Sequence, residues 1–157
     1  MSLKEYQNRR NFSRSPEPPA REQRSNAGNI YSIQEHHASR LHWDLRLEQD
    51  GVLLSWALPK EPPREPGIRR LAVRTEDHPR DYAFFEGEIP AGEYGAGTVR
   101  VWDRGQHRFL EYQPGKEIIF EIEGEKLRGI YCLIRMKKSE KDWLFFKKSS
   151  AAGDKFP

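Results

Sequence analysis

Residues 40–48 read Arg40-Leu41-His42-Trp43-Asp44-Leu45-Arg46-Leu47-Glu48. Polar and apolar side chains alternate without a break, which is the period of a β-strand with two unlike faces. Arg40, His42, Asp44, Arg46 and Glu48 share one face. Leu41, Trp43, Leu45 and Leu47 share the other. Side chains two residues apart on a strand stand roughly 7 Å from each other. A histidine, a carboxylate and a guanidinium therefore project side by side from one rigid element. Gln49-Asp50-Gly51 follows, and an Asp-Gly pair between alternating runs favours a hairpin. Val52–Leu58 reads as the return strand, stopped by Pro59.

The same texture continues in both directions. Tyr31–Glu35 begins a strand before Ala38-Ser39 interrupts it. Further strands are expected at 70–75, 82–87, 98–103, 117–123, 127–137 and 143–147. Gly92-Glu93-Tyr94-Gly95-Ala96-Gly97 reads as a glycine-rich turn with a bulge rather than a phosphate loop, because neither a helical pattern nor Gly-Lys-Ser/Thr follows. About eight short strands at roughly ten-residue spacing, with no helix of ten residues, predict an all-β barrel or sandwich in a single domain. Residues 1–28 are arginine-rich, proline-containing and aperiodic. By composition they read as a loose basic arm, or as a segment that wraps the domain and delivers Arg10 or Arg14 to an anion.

The chain has 157 residues, of which 36% are hydrophobic and 32% charged, with a net charge of +3. That length supports a core, and strands bury apolar side chains efficiently in so polar a sequence. The mild positive charge is compatible with a nucleic-acid substrate. The lone Cys132 excludes an internal disulfide, fits a reducing cytosol and is expected in the core. The sequence contains neither a membrane-length apolar run nor a secretory leader pattern, so a cytoplasmic location is expected.

Three of the five histidines, His36, His37 and His42, fall within seven residues, close to Asp44. Imidazole with carboxylate suits Mn²⁺, Zn²⁺ or Fe²⁺. His42 and Asp44 are expected to chelate together, with His36 or His37 completing the set. Three protein ligands leave open positions, as catalysis needs. Arg46 either grips an anion, phosphate above all, or pairs with Glu48 or an acid on a neighbouring strand. His78, in Thr75-Glu76-Asp77-His78-Pro79, is either an acid or hydrogen-bond donor to a phosphoester, or a loop histidine packed before proline. Tyr82 offers a phenol but equally fits a core or rim aromatic.

These residues resemble a known family. The block Gln34–Leu47, with Gly51-Val52-Leu53, Ser55–Lys60, Arg70–Val73, Thr75–Pro79, Asp81-Tyr82, Phe85-Glu86-Gly87, Ile89-Pro90 and Gly92–Gly97, looks like the 3′-phosphoesterase domain of bacterial DNA ligase D. Phe12 with Ser15-Pro16-Glu17-Pro18 also fits. The resemblance covers nearly the whole chain, and the sequence is expected to be a stand-alone member without polymerase or ligase domains. It implies a compact β-barrel, closed or crescent-shaped, with residues 1–28 as a basic arm over the site and 29–157 as the barrel.

It also implies Mn²⁺-dependent healing of DNA 3′ ends in non-homologous end joining, with Co²⁺ or Zn²⁺ as alternative ions. A 3′-terminal ribonucleotide is trimmed by a phosphodiesterase step, and the remaining 3′-phosphate is then removed as a monoester. By motif, His36, His42 and Asp44 correspond to metal ligands. Arg46 and His78 hold the scissile phosphate, with His78 a candidate general acid, and Tyr82 joins them in the catalytic site. Gln34, Lys60, Arg70, Glu76, Arg10 and Glu17 correspond to substrate-binding or supporting positions. Asn11 departs from the expected aspartate. A separate ligase, polymerase or Ku-like protein would be the partner, near the nucleoid. The contrasting expectations are a non-catalytic nucleic-acid-binding β-barrel and a phosphatase of small molecules.

Overall fold

A computed structural model describes residues 3–20 and 29–149. Among the described residues ten strands form in order: β1 (Asn29–His37), β2 (Leu41–Gln49), β3 (Val52–Leu58), β4 (Arg69–Arg74), β5 (His78–Pro79), β6 (Gly87–Ile89), β7 (Gly97–Gln113), β8 (Glu117–Gly124), β9 (Arg128–Arg135) and β10 (Asp142–Lys147). Antiparallel pairing runs β1-β2-β3-β4-β10-β9-β8-β7, and β7 then pairs back onto β1. Eight strands therefore close into a barrel, as expected, while β5 and β6 sit on its outside against β3 and β7. Closure removes the free edges at which sheets aggregate.

The alternation in β2 orients the wall. Leu45 and Leu47 are fully buried inside, with Tyr31, Ile33, Trp56, Leu58, Phe120, Tyr131 and Phe145. Cys132 is buried as expected. At the β2–β3 hairpin Asp50 and Gly51 both take positive φ, 52° and 83°. A two-residue turn needs this to follow the twist of its strands.

Two expected strands come out differently. Residues 82–87 do not form a strand. Arg80–Phe84 is a turn of 3₁₀ helix, and β6 starts only at Gly87. The Gln34 amide supplies the reason: its Nε2 donates to the carbonyls of Tyr82 and Phe85, each at 2.9 Å. These backbone acceptors are satisfied by a side chain instead of a neighbouring strand. The strand expected at 98–103 runs on to Gln113. Its register slips opposite Ile33/Gln34 and again between Phe109 and Glu111. Such bulges bend a strand, so one long element serves β6, β1 and β8.

The second surprise lies outside the barrel. The polar face of β2 carries Asp44, Arg46 and Glu48, and all three are buried. The arm covers this face. It starts as a short helix, α1 (Lys4–Asn8), rather than a fully extended segment, and plants Tyr6 at 0% exposure against Leu53, Tyr82 and Ala83. Burying one such aromatic contributes about 2 kcal/mol. The expectations that fall on 21–28 and 150–157 lie outside the described residues.

Candidate metal centre and its cavity

β1 and β2 set His36 directly opposite His42 in the ladder. Their rings stand 4.7 Å apart, centroid to centroid. Asp44, two residues along β2, turns Oδ2 toward both: His42 Nε2 is 3.2 Å away and His36 Nδ1 3.5 Å. One potential ligand atom from each of the three residues lies within 4.8 Å of the others. Each ring is anchored by its other nitrogen, as His36 Nε2 donates to Gly95 O at 2.7 Å and His42 Nδ1 to Arg40 O at 3.2 Å. These bonds orient the rings so that the second nitrogen of each faces Asp44, where a metal would take its lone pair in exchange for a proton, the placement that outer hydrogen bonds give metal-bound histidines. His37 is exposed and bonded to Glu35 instead.

Gly97 makes the Gly95 contact possible. A Cβ there would stand 2.1 Å from His37 O, and its φ is 137°. Only glycine lets β7 start this close to the end of β1. That approach brings the Gly92–Gly97 turn against the His36 ring.

Burial opposes ionisation of Asp44, but the Arg46 charge and the two histidine hydrogen bonds outweigh it and hold the carboxyl well below its ordinary range. Burial likewise opposes protonation of His42, yet its bond to Asp44 lifts the ring above its ordinary value.

Arg46 settles between the two readings of the sequence. Its Nε donates to Gln34 Oε1 at 2.8 Å, its Nη1 lies 3.3 Å from His78 Nδ1, and its Nη2 is 3.7 Å from Asp44 Oδ2. Glu48 is not its partner, because that carboxylate takes the Ile30 amide and Arg80. Gln34 thus clamps one edge of the guanidinium and turns the other toward Asp44 and His78.

His78 is buried under Tyr6 and Tyr82, with centroids at 5.1 and 4.7 Å, and its Nδ1 donates to Glu76 O at 2.9 Å. Burial first, then the Arg46 and Arg10 charges, push it well below its ordinary value. The ring is therefore neutral at neutral pH.

The arm completes the enclosure. Arg10, its side chain 5% exposed, donates Nε to Glu17 Oε2 at 2.9 Å and Nη1 to Glu76 Oε2. Glu17 also accepts from Tyr82 Oη at 2.8 Å. The phenol of Tyr82 is pushed well above its ordinary value, by burial and then by Glu17.

The half-open cavity, about 270 Å³, is lined by Arg10, Glu17, His36, His42, Asp44, Arg46, Glu76, His78 and Tyr82 among others. The structure thus brings these expected residues together, with Gln34 directly behind them. Two expected residues stand apart. Lys60 is exposed past the end of β3, and Arg70 gives its Nε to Glu61 O at 2.8 Å; neither lines the cavity. Sequence reasoning missed Thr75 and Tyr94, which do line it, and Ser55, whose Oγ is 3.4 Å from His78 Nδ1. Ser55 was open to discovery, because strand parity places it on the same face of β3 as Leu53.

The histidines aside, two guanidiniums face three carboxylates, which leaves one net negative charge. The cavity therefore favours a cation, and a divalent one would reverse its sign. Two imidazole nitrogens and a carboxylate oxygen suit a borderline ion such as Mn²⁺, Co²⁺ or Zn²⁺, so the residues present fit a metal.

A closed antiparallel barrel whose outer wall carries a candidate cation site beside a buried arginine has the layout of a protein that could hold an anion against a metal. Residues 34–135 match the family model described as the DNA Ligase D 3'-phosphoesterase domain, and the chain belongs to that family. It is 48% identical over 153 residues to the multifunctional non-homologous end joining protein LigD of Pseudomonas aeruginosa, covering 92% of this chain and 18% of that protein. The multifunctional non-homologous end joining DNA repair protein LigD of Mycobacterium tuberculosis is 47% identical over 137 residues, 85% of this chain and 18% of its own length. The corresponding Mycolicibacterium smegmatis protein is 45% identical over 153 residues, with 90% and 20% covered. The chain spans about a fifth of the length of these relatives.

Proposed function

We propose that this protein is a metal-dependent phosphoesterase that heals DNA 3′ ends during non-homologous end joining. It removes a 3′-terminal ribonucleoside by phosphodiester hydrolysis and then the remaining 3′-phosphate, leaving a 3′-OH for ligation or synthesis. One observation carries the reading: His36, His42 and Arg46 all turn toward the same Asp44 oxygen, at 3.5, 3.2 and 3.7 Å. A cation site and an anion fork therefore share one wall. The names of the relatives support the DNA-end context.

His36, His42 and Asp44 would hold the ion, Mn²⁺ foremost, which supplies Lewis acidity toward a phosphate oxygen and lowers the pKa of water. Arg46 offers the edge that faces Asp44 and His78 to the other phosphate oxygens, and Gln34 spares it any reorganisation. In the diesterase step water adds to phosphorus and the P–O5′ bond to the terminal nucleoside breaks. The departing 5′-oxygen takes up a proton. His78 is the group placed to manage that proton. Its affinity for one is depressed partly by Arg46 and Arg10, and a phosphate that pairs those guanidiniums raises it again. Tyr82, bonded to Glu17, and Glu76, bonded to Arg9 and Arg10, hold the arm across the site. A ligase, a polymerase and a Ku-like end-binding protein are the expected partners, near the nucleoid. Among the described residues no helix is long and apolar enough to cross a membrane.

The test is a primer-template ending in one ribonucleotide, incubated with and without Mn²⁺. Ion-dependent shortening to a 3′-phosphate and then a 3′-OH is expected. Release of phosphate from free nucleotides but not from duplex ends would instead indicate a small-molecule phosphatase.

A further inference from the structure

Tyr94 sits at the rim of the cavity, 49% exposed, in the middle of the Gly92–Gly97 turn. That turn is closed by two backbone bonds, Glu93 N to Pro90 O and Ala96 N to Glu93 O, each 3.1 Å. Its next residue, Gly95, holds His36. Tyr94 is thereby fixed relative to the metal ligands.

Its ring is also held from the arm. Arg9 donates Nη1 to Tyr94 Oη at 2.9 Å and, from the same nitrogen, to Glu76 Oε1 at 2.8 Å. The Arg9 and Arg10 guanidiniums stand 5.0 and 5.3 Å from the ring centroid. An exposed aromatic immobilised this way contributes nothing to the core, and solvation does not favour it. The cavity lining combines the polar Asp44, Arg46 and His78 with the apolar Ala38 and Ile89 and the ring of Tyr94. An apolar wall with an aromatic at its lip, next to a phosphate-sized charged pocket, is the arrangement that takes a nucleobase. Bases stack on aromatic side chains regardless of sequence.

We propose that Tyr94 is the platform on which the base of the departing 3′-terminal nucleoside stacks. The proposal rests on the phosphoesterase reading above and extends it to substrate choice. A ribonucleotide end carries that base beyond the scissile phosphate, whereas a 3′-phosphate end carries nothing there. Tyr94 thus selects for the diester reaction over the monoester one.

The experiment compares kcat/KM for two primer-template ends, one with a single 3′-ribonucleotide and one with a 3′-phosphate, in the full chain with Mn²⁺. Tyr94→Ala should lower the ratio of ribonucleotide to phosphate removal on the order of ten- to a hundredfold, the usual size of one lost base–aromatic stack. Tyr94→Phe keeps the ring and should hold the ratio within about threefold of wild type. A third end, bearing a terminal ribose without its base, should reduce the wild-type ratio to the Tyr94→Ala level, with no further loss in the variant. An unchanged ratio in Tyr94→Ala overturns the proposal. So does an equal fall in Tyr94→Phe, which would assign the effect to the hydroxyl and Arg9. A wild-type protein that attacks neither end would overturn the phosphoesterase reading itself, a result distinct from either of these.

Discussion

His36 and Gly95 are joined by a 2.7 Å hydrogen bond from the ring Nε2 to the backbone carbonyl. That bond fixes which nitrogen of His36 faces Asp44, so a glycine turn 59 residues away in sequence sets the chemistry of a strand histidine.

The first prediction concerns the ligand set. Asp44→Ala or His42→Ala should weaken Mn²⁺ binding by at least the ten- to hundredfold that losing an outer partner alone typically costs, read by calorimetry. Both esterase activities should vanish with it. His78→Ala should keep Mn²⁺ affinity while phosphate removal falls about a hundredfold or more. A large loss of Mn²⁺ binding in that variant would mean that His78 belongs among the ligands.

Gln34 should behave as the clamp of Arg46. Gln34→Ala leaves the Phe85 carbonyl and the Arg46 Nε without their partner, and the Tyr82 carbonyl with only the Phe85 amide. Unpaired buried groups cost about 1–3 kcal/mol each, so a clear drop in urea-unfolding stability is expected. Catalysis should fall as well, with Mn²⁺ affinity preserved. A variant as stable and active as wild type would show that the amide does not position the guanidinium.

Arg10 is the buried link between arm and barrel. Removing it in Arg10→Ala leaves Glu17 and Glu76, with side chains 1% and 2% exposed, without their buried partner. Breaking a buried pair from one side typically costs about 3–5 kcal/mol, and here the arm can lift away instead of the barrel unfolding. Trypsin should then cut at Arg9 or Arg14 many times faster than in wild type, with the barrel resistant. Equal digestion rates would mean that Tyr6 alone anchors the arm.

Acid sensitivity should come partly from His107. Its Nε2 donates to Glu48 O at 2.9 Å, and its Nδ1 is buried without a partner among the described residues. Burial lowers its pKa to about 4. The unfolded chain takes up this proton near pH 6.5, before the folded protein does. Stability from this group is therefore full above pH 6.5 and is lost as the pH falls toward 4, by about 2–3 kcal/mol at pH 4.5. The depressed pKa of His78 acts in the same direction. Urea midpoints at pH 7 and 4.5 should diverge less in His107→Gln than in wild type, and identical slopes would count against this origin.

Much of this was legible in the sequence because strand period is a local property. The alternation at 40–48 and the Asp50-Gly51 turn are enough to build the hairpin that carries Asp44 and Arg46. The cross-strand pairing of His36 with His42 follows once that hairpin is extended to β1. What local pattern could not show was burial of the polar face, since Tyr6 and Arg10 arrive from a segment that is only aperiodic and basic on inspection. The 3₁₀ turn at Arg80–Phe84 escaped for the same reason. It depends on the Gln34 side chain, nearly fifty residues earlier. The carbonyl of Gly95 leaves no signature in any alphabet of side chains.

The most direct test of the central claim is the fate of a 5′-labelled primer ending in one ribonucleotide, annealed to template, with wild-type protein and Asp44→Ala, each with Mn²⁺ and with chelator. Wild type with Mn²⁺ should convert the end to a 3′-phosphate and then to a 3′-OH, while chelator or Asp44→Ala should stop both conversions. Equal conversion by Asp44→Ala, or by wild type in chelator, would contradict a metal-dependent site at His36, His42 and Asp44. No conversion under any condition would leave the barrel a nucleic-acid-binding module and refute the proposed function.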